Sequence, residues 1–384
     1  MERLDAVYLV TTPFQIMSAI SLAVNRKERA DLYIDVQFAG VEELVERIRE
    51  RQIFDRVHIL DKVRAIDEIR FAESTAKRYR KMLYWYRHVD EAAAEILIPD
   101  REYRILYATH YIIPASLLML YISKHDLRTK AYFFDDGESS YHMEKFYNSS
   151  RGDRMAKKMV LKTKKDRKAK RLYVYSPEVF RKTMAQCPLP VYQLPQFSKN
   201  PVVQEHLSAI FDVTPEKGIR ESVVILDARK GEILSPEDSE RLERLYERMT
   251  EELGPENVII KRHPREKKIE NPKITEYEYQ TMPFELICLA SSMNKKTLVA
   301  LHSTATYNPK LLFDQEPRIL LLHHLFHRKG WDDAESDQFY GLIRETYRDP
   351  GRVVIPENEE ELFRVLAEIK REQETPDPAA EGER

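Results

Sequence analysis

The sequence predicts an α/β protein made of two Rossmann-like domains facing a cleft, and three observations predict it. Short β-rich runs alternate with longer helical patterns along nearly the whole chain, the rhythm of parallel sheets covered by helices on both faces. A Pro-studded stretch, residues 187–203, separates two such series and has the composition of a linker. The 384 residues suffice for two cores at about 100–200 residues per domain. The expected division is an N-terminal domain over 1–195, a linker over 196–220, a C-terminal domain over 221–372 and a disordered tail over 373–384.

In the first series AVYLV (6–10) is a buried strand. Pro13 then opens the helical stretch FQIMSAISLAVN, at a position where its missing N–H costs little. DLYIDVQFA is the second strand, VEELVERIRER a helix and RVHIL the third strand. A charged, Tyr-rich helical region fills residues 65–97. YRILYAT, IPASLLMLYISK and KAYFFDDG continue as strand, helix and strand, the last ending in a turn at Gly137. The second series begins with the strand SVVILDA and the helix SPEDSERLERLYERMTEEL, with Ser235 as its N-cap. The strand NVIIKRHP, the helix MPFELICLASSM, the strands KTLVALHS and PRILLL, and the helix ENEEELFRVLAEIKRE complete it. The tail QETPDPAAEGER has almost no apolar content, which favours disorder.

Composition excludes several classes. The 62 Lys+Arg and 64 Asp+Glu give a net charge of −2, unlike a protein that coats nucleic acid. Mean hydropathy is −0.55, no run of about 18 apolar residues occurs, and the opening MERLDAVYLVTTPFQ lacks the pattern of a secretory signal. Cys187 and Cys288 are the two cysteines, too few and too far apart for a zinc site or a disulfide scaffold. The expected location is the cytoplasm, with peripheral contact at the inner face of its membrane.

In doubly wound sheets ligands sit beyond the carboxyl ends of the strands, and three polar clusters stand there. Asp135-Asp136-Gly137 follows AYFF. Adjacent carboxylates leaving a buried strand repel one another, and desolvation raises one toward the range of a general base. The same residues also suit a plain turn. Lys261-Arg262-His263-Pro264-Arg265 follows NVII; a histidine among cations favours its neutral form until a phosphate arrives. The alternative is a solvated basic loop. His302-Ser303-Thr304-Ala305-Thr306 follows TLVAL, offering hydroxyls and a helix start to an anion, or simply an N-cap.

Taken in order, these clusters resemble the bacterial sialyltransferases of glycosyltransferase family 52. That family has an acid-acid-Gly motif, a later His-Pro motif and then a Ser-Ser or Ser-Thr pair. Here they stand as Asp135-Asp136-Gly137, His263-Pro264 and Ser303-Thr304, and the opening Thr11-Thr12-Pro13-Phe14-Gln15 and the stretch ATHYIIPASLL are similar too. The resemblance runs from about residue 7 to about 321. It implies a GT-B-type fold and inverting transfer of sialic acid from CMP-sialic acid to a hydroxyl of a lipooligosaccharide or capsular glycan. Asp135, the first acid of the motif, would be the general base, with its neighbour Asp136 as the alternative, and His263 the group at the departing phosphate. Ser303 and Thr304 would hold that phosphate, with Pro264 shaping the loop. Lys261 would lie near the cytosine and Glu285 near the ribose hydroxyls, although a glutamate after Pro283 also suits a first helical turn. Gly137, Tyr141 and Thr12 would lie on the acceptor side.

No cofactor and no metal are expected, because the sequence has no tight carboxylate–histidine cluster and a phosphate leaving group needs little protonation. Residues 151–171 hold eleven Lys/Arg and two Asp. They read either as a solvated face or as a contact with an anionic inner leaflet. The expected partners are a sugar-nucleotide donor and a glycan acceptor, without nucleic acid, and a homodimer is left open. The alternatives are a related enzyme using CMP-Kdo or a UDP-sugar, and a non-catalytic nucleotide-binding protein of capsule assembly.

Overall fold

A computed structural model of the chain describes residues 2–38, 40–99, 101–137, 139–142, 151–161, 168–227, 230–263, 273–330 and 332–374. It divides into two compact units, Met1–Asp212 and Val213–Arg384.

The first unit opens with β1 (Glu2–Val10), α1 (Pro13–Arg26), β2 (Ala30–Ile34), α2 (Val41–Glu50) and β3 (Arg56–Ile59). The Tyr-rich region forms three helices, α3 (Arg64–Arg70), α4 (Thr75–Arg87) and α5 (Val89–Ile96). β4 (Arg101–Ala108), α6 (Ile113–Lys124), β5 (Lys130–Phe134) and the short α7 (Ser139–His142) follow. The unit closes with α8 (Arg151–Leu161), β6 (Arg171–Val174), α9 (Pro177–Thr183), β7 (Val191–Gln193) and α10 (Pro201–Ile210). Its seven strands lie in the order β3-β2-β1-β4-β5-β6-β7, every pairing parallel. All five residues of β2 and the last five of β1 are buried, as expected for strands covered on both faces. The order reverses between β1 and β4, so the switch point lies beyond Val10 and Ala108.

The second unit contains β8 (Val223–Leu226), α11 (Lys230–Ile233), α12 (Pro236–Leu253), β9 (Val258–Lys261) and α13 (Phe284–Ala290). β10 (Thr297–Ala300), α14 (Asn308–Phe313), β11 (Arg318–Leu321), α15 (Asp333–Glu345), β12 (Val353–Val354) and α16 (Glu359–Glu374) complete it. The parallel order β12-β11-β10-β8-β9 puts the switch point between β8 and β10. Ser235 caps α12, its Oγ accepting from the Asp238 amide at 3.0 Å. Leu242, Leu245, Tyr246, Met249 and Leu253 then line one face of that helix and join Val223, Ile225, Val299, Leu320 and Leu366 in a single core.

The α/β class is as expected, and three local readings change. Residues 196–212 are no linker: Asn200 caps α10, and α10 packs on α1 and α2. Pro-rich composition here marks helix starts, with Pro201 in the first turn. Strands β6, β7 and β12 were not expected; each has four residues or fewer and gives too short a pattern to read. Gln373 and Glu374 belong to α16, and the rest of the expected tail lies outside the described residues.

Candidate functional site

Two groups of polar residues gather at strand carboxyl ends, one in each unit. In the first unit the two adjacent acids after β5 part company. Asp135 is 1% exposed. Its Oδ1 accepts from the Gly137 amide at 2.9 Å, and its Oδ2 from the Tyr141 hydroxyl at 2.8 Å and the Tyr175 amide at 3.0 Å. Burial raises its pKa against these donors. Gly137 closes the turn at φ +89°, a conformation that glycine adopts without a Cβ clash.

Asp136 points the other way, half-buried, with Oδ1 accepting from Gln15 Nε2 at 2.5 Å. Burial pushes its pKa up to about 7; Gln15 opposes and the Asp135 charge reinforces the rise. Gln15 itself is buried. Its Oε1 accepts from the Thr11 amide at 2.6 Å and the Thr11 hydroxyl at 3.0 Å, which assigns its amide orientation and aims the NH₂ at Asp136. Thr12 caps α1 by accepting from the Gln15 amide at 3.3 Å. The Thr12-x-x-Gln15 spacing is that of a capping box, but the glutamine reaches across to Asp136, past the end of β5, instead of back to its cap. That spacing was the available sign that Gln15 matters. His110, just past β4, is held neutral by burial, its pKa down at about 4.

Tyr141 does not face an acceptor. It is 1% exposed and also accepts from the Ser176 amide at 3.1 Å, so it braces Asp135 inside the core. The acid-acid-Gly motif is therefore a turn that Asp135 and Tyr141 build and that presents Asp136.

In the second unit Lys261 ends β9 in a buried position, with Nζ donating to the Gln280 carbonyl. Burial lowers its pKa to about 8 despite the carboxylate of Glu285. Glu285, in the first turn of α13, is likewise buried and raised by burial, and accepts from Asn308 Nδ2 at 2.5 Å. Each charge is desolvated and each partly offsets the other. Asn308, at the start of α14, joins this group without having been singled out in the sequence. His263 is half-buried directly after β9, and Pro264 lies outside the described residues.

Ser303 acts as the N-cap it can always be, accepting from the Ala305 amide at 3.3 Å, while its carbonyl accepts from Thr306 Oγ1 at 2.7 Å. The expected helix is one 3₁₀ turn, Thr304–Thr306, followed by the six-residue α14. Asn308-Pro309 sits in the first turn of α14, where proline suits an N-terminus; the helix dipole available to an anion is correspondingly small. Thr304 is half-buried beside Ser303.

Among the described residues one His/Asp group has ligand atoms close enough to share a metal ion, His323, His324 and Asp337, within 4.8 Å of one another. Hydrogen bonds join the three side chains, while His323 Nδ1 is buried without a hydrogen-bond partner among the described residues. Asp337 meets His323 Nε2 at 2.8 Å and His324 Nε2 at 2.9 Å, and His324 Nδ1 meets Glu357 at 3.1 Å. Burial opposes it, but the two flanking carboxylates raise the His324 pKa, as an imidazolium between two acids requires.

No family model matches the sequence, and no curated protein matches it. Among solved structures the chain is similar to the glycotransferase of kitacinnamycin, at 10% identity and a TM-score of 0.50, over 98% of this chain and 92% of the other. It is also similar to a UDP-glucosyltransferase from Polygonum tinctorium, solved in a complex and described as capable of glucosylating indoxyl, at 11% identity and a TM-score of 0.47, over 96% and 93%. The first likeness shows the fold, an α/β chain with parallel sheets of the GT-B glycosyltransferase kind. No helix among the described residues is long and apolar enough to cross a membrane.

Proposed function

We propose that the chain is an inverting glycosyltransferase that moves a sugar from a nucleotide donor to an acceptor hydroxyl without a metal. The observation that carries this reading is Asp136: a half-buried carboxylate at a strand carboxyl end, fixed by Gln15, with a pKa near 7. A general base needs this combination of access, orientation and a pKa close to the working pH. Asp136 takes the acceptor O–H proton as the oxygen bonds to the anomeric carbon. The bond from that carbon to the phosphate oxygen breaks, and the nucleotide departs with the electron pair. Asp135, with both oxygens occupied and almost no exposure, positions Asp136 and does not take the proton. The resemblance to family 52 names the first acid of the motif; the geometry favours the second.

The donor reading is CMP-sialic acid, supported by the order of the acid-acid-Gly, His-Pro and Ser-Thr motifs. Lys261, Glu285 and Asn308 offer a cation, an acceptor and an amide to base and ribose, and His263, Ser303 and Thr304 offer donors to the phosphate. The acceptor on this reading is a cell-surface glycan of the lipooligosaccharide or capsular type.

Calorimetry with CMP, UDP, GDP and AMP, each with EDTA and with Mg²⁺, tests the donor class. CMP-selective binding that is unchanged by EDTA is the expected result. UDP selectivity would retain a transferase and overturn the sialic-acid donor. Turnover of Asp136→Asn within about tenfold of wild type would remove the base assignment, since such groups contribute about 10²–10⁴-fold.

A further inference from the structure

We infer that the paired helices α4 and α8 of the first unit form a docking surface for an anionic phospholipid bilayer. The inference does not rest on the donor or the base assigned above. The inward side of α8 is fixed. Asp153 accepts from the Tyr86 hydroxyl of α4 and pairs with Lys157 at 3.0 Å, and Lys157 lies 4.8 Å from the centre of the Tyr111 ring. Gly152 lies so close to the Tyr79 ring that a Cβ there would have to displace the ring. The helix therefore cannot turn its outer side inward without breaking a buried ion pair.

That outer side mixes cations with apolar groups. Arg151, Met155 and Met159 follow one another at four-residue spacing, with Lys158 three residues after Met155 on the same helix face, and Met155 and Met159 are 66% and 52% exposed. On α4 the spacing repeats as Arg80, Tyr84 and Arg87, all exposed, and Phe71, in the turn before it, is 73% exposed. Residues 75–87 hold five Lys/Arg and no acid. Lys77 and Lys81 are paired with Glu73 and Glu68, whereas among the described residues Arg78, Arg80, Arg87, Arg151 and Lys158 have no carboxylate partner.

The protein as a whole carries −2, so this is local segregation of positive charge and not a basic protein's average. Cations interleaved with exposed methionine and aromatic side chains fit an interface with negative headgroups above and acyl chains below. An acidic protein or nucleic acid would use the charges and leave the methionines unexplained. The basic run of 151–171 is narrower than its composition: Lys157 is buried, Arg171 stacks on Tyr132 and Tyr192, and 162–167 lie outside the described residues.

Co-sedimentation of the full chain with vesicles tests the inference. Binding is expected to vesicles of about one-third phosphatidylglycerol and to fall at least about tenfold on pure phosphatidylcholine or in high salt. The triple variant R80Q/R151Q/K158Q is expected to weaken binding about tenfold or more, and M155S/M159S to remove the part that survives salt; circular dichroism confirms that both fold. No binding at low salt would overturn the inference, as would equal binding by folded variants. A dimer in light scattering that M155S/M159S dissolves would overturn it too, assigning the surface to a second copy.

Discussion

Two neighbouring aspartates, chemically identical as side chains, do opposite things, and their environments say how each responds to substitution. Asp136 has a folded pKa raised to about 7 by burial, above its unfolded value. The stability it contributes is therefore complete at pH below about 4 and is lost as pH rises through 7. Asp136→Asn removes that loss. The variant should melt higher than wild type at pH 8 and not at pH 4, by an amount on the order of 1–4 kcal/mol, or about 2–4 °C per kcal/mol. Asp135→Asn adds a cost that Asp136→Asn does not, clearest at pH 4, where neither acid's ionisation contributes. Three donors converge on its two oxygens, and an amide can offer an oxygen to one side only, so at least one donor faces an NH₂ group at a cost of about 1–3 kcal/mol. Differential scanning calorimetry at the two pH values distinguishes the pair. Catalysis reads the same carboxylate: kcat/KM should rise with pH through about 7 as Asp136 ionises. Gln15 donates to the ionised form and holds the pKa down, so Gln15→Ala should shift that limb to higher pH. A pH–rate profile with an unmoved limb would show that Gln15 does not position the base.

At the scale of elements, what could be read from sequence and what could not divide along physical lines. The α12 start was legible because its signal is local: Ser235, then Pro236 and two acids, then apolar residues at helical spacing. Ser235→Ala should therefore cost about 1 kcal/mol, measured as a lower urea midpoint with an unchanged slope. The choice between Asp135 and Asp136 was not legible. Successive side chains leave an extended backbone on opposite sides, so one had to point inward. Which one depends on the register of β5, and its AYFF run is buried on both faces. A strand without polar alternation carries no mark of register. Tyr141 was misread for a related reason: the partner that buries it, the Asp135 carboxylate, is close in sequence, but its other contacts at Ser176 and Phe180 come from after β6. Asn308 was silent because its meaning comes from Glu285, 23 residues away.

For the whole molecule, the decisive feature is that each unit has its own parallel sheet. The strand–helix rhythm on either side of the Pro-rich stretch already pointed to two series, but the boundary lies at Asp212–Val213, because α10 packs back on α1 and α2 of the first unit. Contacts between residues this far apart in sequence leave no trace in local composition. The second unit closes one core from α12, α16 and its strands, enough for a unit of this size to fold alone. It also contains every residue assigned to the nucleotide: Lys261, His263, Glu285, Ser303, Thr304 and Asn308. A fragment of residues 213–384 should therefore fold cooperatively and bind the preferred nucleotide within about threefold of the full chain, a difference of less than about 1 kcal/mol. It should transfer no sugar, because Gln15 and Asp136 are absent from it. Glu285→Gln in that fragment should weaken binding about tenfold, the effect of a lost charge-assisted hydrogen bond. Calorimetry on the fragment and its variant checks both. A folded fragment that binds no nucleotide would place donor recognition elsewhere in the chain, and binding unaffected by Glu285→Gln would remove the ribose contact while leaving the rest of the donor site in place.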